Sequence, residues 1–115
     1  MNTLANNVQL IGNLGAQPEI TKFDSGTKRA RITIAVNDRY KNKSGEYVDE
    51  IQWHTIIGWG PVAERVEKAF SKGLRVMVSG KLMNRSYETK AGERRYATEI
   101  VMKDFMVLGI KPAAN

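Results

Sequence analysis

Strict alternation of apolar and polar side chains over residues 29–37 is the feature that most restricts the fold of this chain. The apolar set is Ala30, Ile32, Ile34 and Val36, and the set on the other side is Arg29, Arg31, Thr33 and Asn37. Successive side chains of a β-strand point to opposite faces of a sheet. The pattern therefore predicts a strand with one face in a hydrophobic core and the other in water.

Four other segments have the composition of strands. Residues 8–15 predict a first strand, which residues 19–23 continue after Pro18, and the glycines at 12 and 15 indicate a bend or a bulge in it. Alternating apolar residues predict two further strands over residues 50–59 and 74–87. Residues 94–108 are predicted to form a last, long strand with a bulge. Two exposed hairpin loops are predicted between strands, at residues 40–49 and 90–93.

The spacing of apolar residues changes from two to four after the strand that ends at residue 59. Pro61 suits the first position of a helix, because its missing N–H would have no partner there. The apolar face of this helix is predicted to consist of Val62, Val66 and Phe70, with Ala63 and Ala69 beside them. Gly73 is predicted to end the helix in the left-handed cap position.

The order of elements is three strands, one helix and two strands. This order predicts an all-β OB-fold, a five-stranded Greek-key barrel with one helix between strands 3 and 4. The length of 115 residues suits a single domain. Barrels of this type can bind oligonucleotides on one face, but the site itself has to support that function.

Positive charge is concentrated in two blocks. Residues 22–43 and residues 72–95 each hold seven Lys or Arg against two acids, whereas the remaining residues hold four against eight. The two blocks thus contribute +5 each and the remainder −4, which gives the net charge of +6. Such charge favours an acidic partner, and an anionic membrane is disfavoured because the one predicted helix is mixed in charge.

Two tryptophans on one predicted strand indicate what that partner is. Trp53 and Trp59 are six positions apart, so they share a face and lie about 20 Å from each other. Unstacked bases could stack on both rings, and stacking does not depend on base identity. The alternative is that both are core residues, which Ile57 on the same face supports.

Two tyrosines also lie beside cations. Tyr87 shares a strand face with Arg85 and Lys81, and Tyr40 is followed by Lys41 and Lys43. Aromatic rings interleaved with cations are typical of a groove for single-stranded nucleic acid. A solvated strand face at Tyr87 and a loop anchor at Tyr40 are the alternatives.

The sequence offers little for catalysis. The chain has no cysteine, which excludes disulfides and thiolate metal sites and is compatible with a reducing cytoplasm. His54 is the only histidine and lacks the neighbours that a metal site or a catalytic base requires. The N-terminus has no signal-peptide pattern. We therefore expect no catalytic residue, no metal and no cofactor.

Several of these motifs together resemble the bacterial single-stranded-DNA-binding proteins over residues 4–109. They are residues 7–15 (NVQLIGNLG), Pro18-Glu19, Trp53-His54, Gly58-Trp59-Gly60, Lys72-Gly73 and Gly80-Lys81-Leu82. The most specific element is the Trp-His pair followed by an aromatic residue between glycines, just before a helix. The resemblance implies an OB-fold domain over residues 1–109 that assembles as a homotetramer and binds single-stranded DNA.

The resemblance also assigns roles to residues. It implies base stacking by Tyr40, Trp53, Trp59 and Tyr87 and a subunit interface at His54. Together with the charge pattern, it predicts phosphate contacts by Arg29, Arg31, Lys41, Lys43, Lys72, Lys81, Arg85, Arg94 and Arg95. Relatives often end in an acidic tail that recruits other proteins. Because residues 110–115 carry no acid, we expect a short flexible end here and doubt such recruitment.

The expected function is therefore protection of single-stranded DNA in replication, recombination and repair, largely without sequence preference. A bacterial, cytoplasmic and nucleoid-associated location follows from the resemblance. An OB-fold primosomal or RNA-binding protein is the alternative, since the sequence does not separate DNA from RNA. An enzyme is disfavoured, because no nucleophile–base pair or metal motif is present.

Overall fold

The computed structural model describes residues 3–110 of the chain. After a 3₁₀ turn at Thr3–Asn6 it contains six strands and one helix. The elements are β1 (Val8–Leu14), β2 (Glu19–Lys22), β3 (Lys28–Lys41), β4 (Tyr47–Trp59), α1 (Pro61–Ala69), β5 (Leu74–Glu88) and β6 (Arg94–Ile110). The expected flexible end, apart from Ile110, lies outside the described residues.

Five of the strands close into a barrel. The order of hydrogen-bonded strands is β1-β5-β6-β4-β3, and β1 also pairs with β3, which closes the ring. All pairs are antiparallel except β4 with β6, which is parallel. The predicted OB-fold with one helix is confirmed. Residues 19–23 were expected to continue the first strand. Glu19–Lys22 form a separate short strand, β2, which pairs with β3 on the same edge as the end of β1.

Alternation along β3 produces the core as predicted, and β4 adds side chains from the face opposite its tryptophans. Ile32 in β3 lies opposite Ile56 in β4, and both are buried. The core also receives Val76 and Val78 from β5 and Met102 from β6. In β6 the register shifts by one residue opposite Ser79 and Gly80, so Phe105 also packs against the core although it is an odd number of residues from Met102. The predicted bulge in this strand is confirmed.

Helix α1 covers one end of the barrel with a narrower apolar face than predicted. Ala63, Val66 and Phe70 are buried, whereas Ala69 is exposed. The predicted end of the helix was wrong. Phe70 has an extended backbone (φ −96°, ψ 139°), and this directs its ring against Phe105, with the two centroids 4.6 Å apart. Gly73 has a φ of +89° but lies in the turn before β5.

The first predicted hairpin loop was too long. β3 and β4 stay paired out to Lys41 and Tyr47, so only residues 42–46 form the turn. The Asn42 side chain closes that turn, because its Oδ1 accepts hydrogen bonds from the backbone N–H groups of Ser44 and Glu46, both at 3.0 Å. Tyr40 is therefore part of a strand. No helix in residues 3–110 is long and apolar enough to cross a membrane.

Gly12 lies just before the point where the barrel closes. β1 pairs with β5 from Val8 to Asn13, and with β3 at Asn13 and Leu14. A Cβ atom on Gly12 would lie 2.4 Å from the carbonyl oxygen of Ala35, which is backbone and cannot rotate away. Only glycine permits this approach of the two strands.

We expect Gly12→Ala to lower the free energy of unfolding by about 1–3 kcal/mol, because the added methyl forces β1 away from β3. Urea denaturation followed by circular dichroism measures this. Gln9→Ala is the control, since Gln9 is an exposed residue of the same strand and its substitution adds no atom near β3. Equal stability of Gly12→Ala and the wild type would contradict the role given to this close approach.

Candidate nucleic-acid interface

One outer face of the barrel runs without interruption across four strands. Cross-strand pairing places Arg31 beside Ile57, Ile57 beside Val101, and Val101 beside Lys81. Side chains opposite one another across a ladder project to the same side of the sheet. We call the side that carries these four residues the front face.

Most of the predicted contacts lie on the front face. Every second residue along each strand, counted from these four, projects to the front face. The predicted contacts on it are Arg29, Arg31, Trp53, Trp59, Lys81, Arg85, Tyr87 and Arg95. Lys41 is on the same side of the β3–β4 hairpin. Arginines and lysines from three strands therefore surround aromatic rings from two strands on one surface.

The rings on this face are accessible. Trp53 is 58% exposed, and Trp59 and Tyr87 are each 45% exposed. Ile57, between the two tryptophans, is buried but is not in contact with the main core cluster. The interpretation of Trp53 and Trp59 as core residues is therefore wrong for these two side chains.

Gly15 supports the ring of Trp53. A Cβ atom at Gly15 would lie 2.5 Å from Cζ3 of Trp53, so the indole lies directly against the glycine backbone. The contact spans β3, because Trp53 in β4 is opposite Ala35, which in turn is opposite Asn13 in β1. One side of the indole is thus packed on the residue that follows β1, while much of the ring remains exposed.

Trp59 has a different support, which the sequence analysis missed. Phe23 stacks beside it with the ring centroids 6.0 Å apart and the planes at 22°. The Arg29 guanidinium lies close to both rings, with its Cζ 5.6 Å from the Phe23 centroid and 6.0 Å from that of Trp59. Alternation from Glu19 through Thr21 to Phe23 is the sequence signal that could have placed Phe23 on this face.

An open depression of about 270 Å³ lies next to Trp59. It is lined by Arg29, Arg31, Ile57, Trp59, Arg85, Glu99 and Val101. Glu99 pairs with Arg85 at the edge of the depression, with 3.2 Å between Oε1 and Nε. The depression thus offers one aromatic wall and three arginines, a combination suited to a base with its phosphates.

Four predicted contacts lie away from this face. By register, Tyr40 is on the side of the β3–β4 hairpin opposite Trp53, and Arg94 is on the side of the β5–β6 hairpin opposite Tyr87. Lys43 is in the tight turn at the hairpin tip. Lys72 is in the turn before β5, where its backbone N–H donates to Gln17 at 2.6 Å.

Tyr47 is a second aromatic residue that the sequence analysis missed on this face. It is 66% exposed, and the Arg39 Cζ lies 5.0 Å from its ring centroid. The spacing of six residues from Tyr47 to Trp53, and of six more to Trp59, is the signal that would have identified it. It was missed because the strand was predicted to begin at residue 50.

His54 lies on the opposite side of β4 from Trp53. It pairs with Ile34 in the register and is half-buried. No group of three or more His, Asp or Glu side chains that could hold a metal ion occurs in the part of the chain that the structure describes.

The sequence of this chain is similar to those of known proteins. Residues 5–108 match the model of the single-strand binding protein family. Single-stranded DNA-binding protein 1 of Xylella fastidiosa (strain 9a5c) is 38% identical over 111 residues, which cover 96% of this chain and 82% of that protein. The protein of the same name from Chlorobaculum tepidum is also 38% identical over 111 residues, with 96% and 68% coverage.

Solved structures share the fold. A Plasmodium falciparum SSB in complex with ssDNA superimposes with a TM-score of 0.84 at 28% identity, covering 90% of this chain and 94% of that chain. A deletion mutant of the single-stranded DNA binding protein from Thermus aquaticus gives a TM-score of 0.81 at 26% identity, covering 90% and 50%. From the family match over nearly the whole length, the chain belongs to the single-strand binding protein family.

Proposed function

We propose that this protein binds single-stranded DNA on the front face and thereby protects it during replication, recombination and repair. The observation that carries the proposal is the continuous surface on which Trp53, Trp59 and Tyr87 remain exposed among arginines and lysines. Stacking on these rings and pairing with phosphates do not depend on base identity, so binding is largely independent of sequence. The protein acts by binding and not by catalysis.

Relatives support the choice of ligand. The two bacterial relatives carry the name single-stranded DNA-binding protein, and the Plasmodium structure contains ssDNA. Because such strands arise where a chromosome is copied or repaired, we include the cytoplasmic, nucleoid-associated location in the proposal. Titration of tryptophan fluorescence with oligo-dT and with a duplex of equal length tests the ligand. Competition by poly-U tests the RNA-binding alternative.

We expect Trp59→Ala to weaken oligo-dT binding by about 1–3 kcal/mol, the range typical of one base stacked on one ring. Fluorescence anisotropy of labelled oligo-dT measures the change. Tyr96→Ala is the control, because Tyr96 is 75% exposed but lies on the reverse side of the β5–β6 hairpin. A Trp59→Ala variant that melts early yet binds normally while folded would show that Trp59 supports the fold and not the ligand.

We expect the logarithm of the affinity to fall linearly with the logarithm of salt concentration, at about −0.7 per phosphate neutralised. Lys81→Gln removes one cation of the front face and should make the slope shallower by about that amount. Lys68→Gln removes the same charge from the exposed side of α1 and should leave the slope unchanged. Identical slopes for Lys81→Gln and the wild type would show that Lys81 does not pair with a phosphate.

We propose in addition that the protein assembles as a homotetramer, with His54 at an interface between subunits. His54 is half-buried on the side of β4 away from Trp53, so an interface there leaves the front face open. We expect His54→Glu to shift the protein toward smaller species in sedimentation-velocity runs, because the added charge must be desolvated. Trp53-dependent fluorescence changes with oligo-dT should persist. An unchanged tetramer at low protein concentration would reject the interface.

A further inference from the structure

We infer that Phe23, Arg29 and Trp59 form a single-nucleotide site in which the Arg29 guanidinium occupies, in the free protein, the place that a base takes on binding. The inference rests on the proposed function and deepens it, because it adds Phe23 to the interface and assigns an exchange of contacts to Arg29.

The guanidinium of Arg29 is a flat group, as a nucleobase is. Its Cζ is within 6.0 Å of both ring centroids, at the outer limit for a favourable cation–π contact. The two rings are 39% and 45% exposed, for Phe23 and Trp59 respectively. The guanidinium is therefore the charged neighbour of two rings that remain partly exposed, and a change of its rotamer would free more of their surface.

Arg29 is poorly satisfied in this position. Its Nε atom is buried and has no hydrogen-bond partner among the residues that the structure describes. A buried donor without an acceptor costs free energy, because it has lost its water and gained nothing in return. A hydrogen-bond acceptor on a ligand would therefore stabilise a new position of this side chain.

A nucleotide offers a partner to the Arg29 guanidinium and another to the rings of Phe23 and Trp59. Its phosphate can accept two parallel N–H donors from a guanidinium, which is a strong and well-oriented contact. Its base can stack on the ring surface that Arg29 leaves. The depression next to Trp59 is also lined by Arg31 and Arg85. The phosphate of the next nucleotide in the strand can therefore pair with these arginines. Because all four bases have a flat face, the site accepts any of them.

Lys28 provides a matched control for the charge of Arg29. It is the preceding residue of β3, so its side chain leaves the opposite side of the sheet. There its Nζ is 2.7 Å from Oε1 of Glu67 in α1, and this hydrogen bond raises the pKa of Lys28. Lys28→Ala and Arg29→Ala therefore remove the same charge at nearly the same place in the chain, but on different faces.

The experiment measures binding of labelled oligo-dT by the wild type and by Phe23→Leu, Arg29→Ala, Arg29→Lys and Lys28→Ala. We expect Phe23→Leu and Arg29→Ala each to weaken binding about 3- to 30-fold and Lys28→Ala by less than 2-fold. Arg29→Lys keeps the charge but loses the planar fork, so its affinity should fall between those of the wild type and Arg29→Ala. Thermal melting checks that each variant is folded at the temperature of the assay.

A second measurement reports the exchange itself. We expect the Nε–H proton resonance of Arg29, assigned by its absence in Arg29→Lys, to move downfield when oligo-dT is added, as it acquires a phosphate acceptor. If the wild type binds oligo-dT but Phe23→Leu and Arg29→Ala bind equally well, or the resonance does not move, the single-nucleotide site is wrong while the proposed function stands. If the wild type does not bind oligo-dT, both proposals are wrong.

Discussion

The antiparallel ladder between β3 and β4 determines both the core and the interface. It runs without a register shift from the pair Arg29–Trp59 to the pair Lys41–Tyr47. A slip of one residue would turn every side chain of one strand to the other face, so Ile56 would leave the core and Trp53 would enter it. The buried pair Ile32–Ile56 therefore fixes the orientation of the tryptophans as well as the packing of the barrel.

The same alternation separates stability from binding. Even-numbered positions of β3 carry the isoleucines of the core, whereas odd-numbered positions carry Arg29 and Arg31 to the front face. Substitution of an exposed side chain on the front face removes little buried apolar area and should leave the barrel folded. The exposed rings are nevertheless supported: Trp53 lies on Gly15, and Trp59 lies beside Phe23. Each ring is held at one side while part of its surface remains exposed.

Local patterns in the sequence predicted most of the fold. Alternation in β3, the change of period at Pro61 and the paired loops were sufficient to predict the barrel and its helix. The end of α1 was predicted wrongly because Phe70 adopts an extended backbone and packs against Phe105. That contact joins distant parts of the chain and has no local signal. The hairpin at residues 42–46 was predicted too long because a side chain, Asn42, closes the turn.

The interface was harder to predict from the sequence, because it combines residues of several strands. Periodicity correctly placed Trp53 and Trp59 on one face, but the proximity of Phe23 to Trp59 depends on β2 lying at the edge of β3. Tyr47 was missed only through an error of three residues at a strand boundary. Spatial proximity of Arg29 to both rings is a tertiary contact, and spacing alone does not predict it.

Photo-crosslinking tests most directly whether the front face is the surface that holds the strand. Oligo-dT with single 5-iododeoxyuridine substitutions is irradiated with the protein, and the attached peptides are identified by mass spectrometry. We expect crosslinks at Trp53, Trp59 and Tyr87, which remain exposed on the front face, and none at Tyr96 on the reverse side of the β5–β6 hairpin. Crosslinks confined to Tyr96 or to helix α1 would contradict the proposed interface.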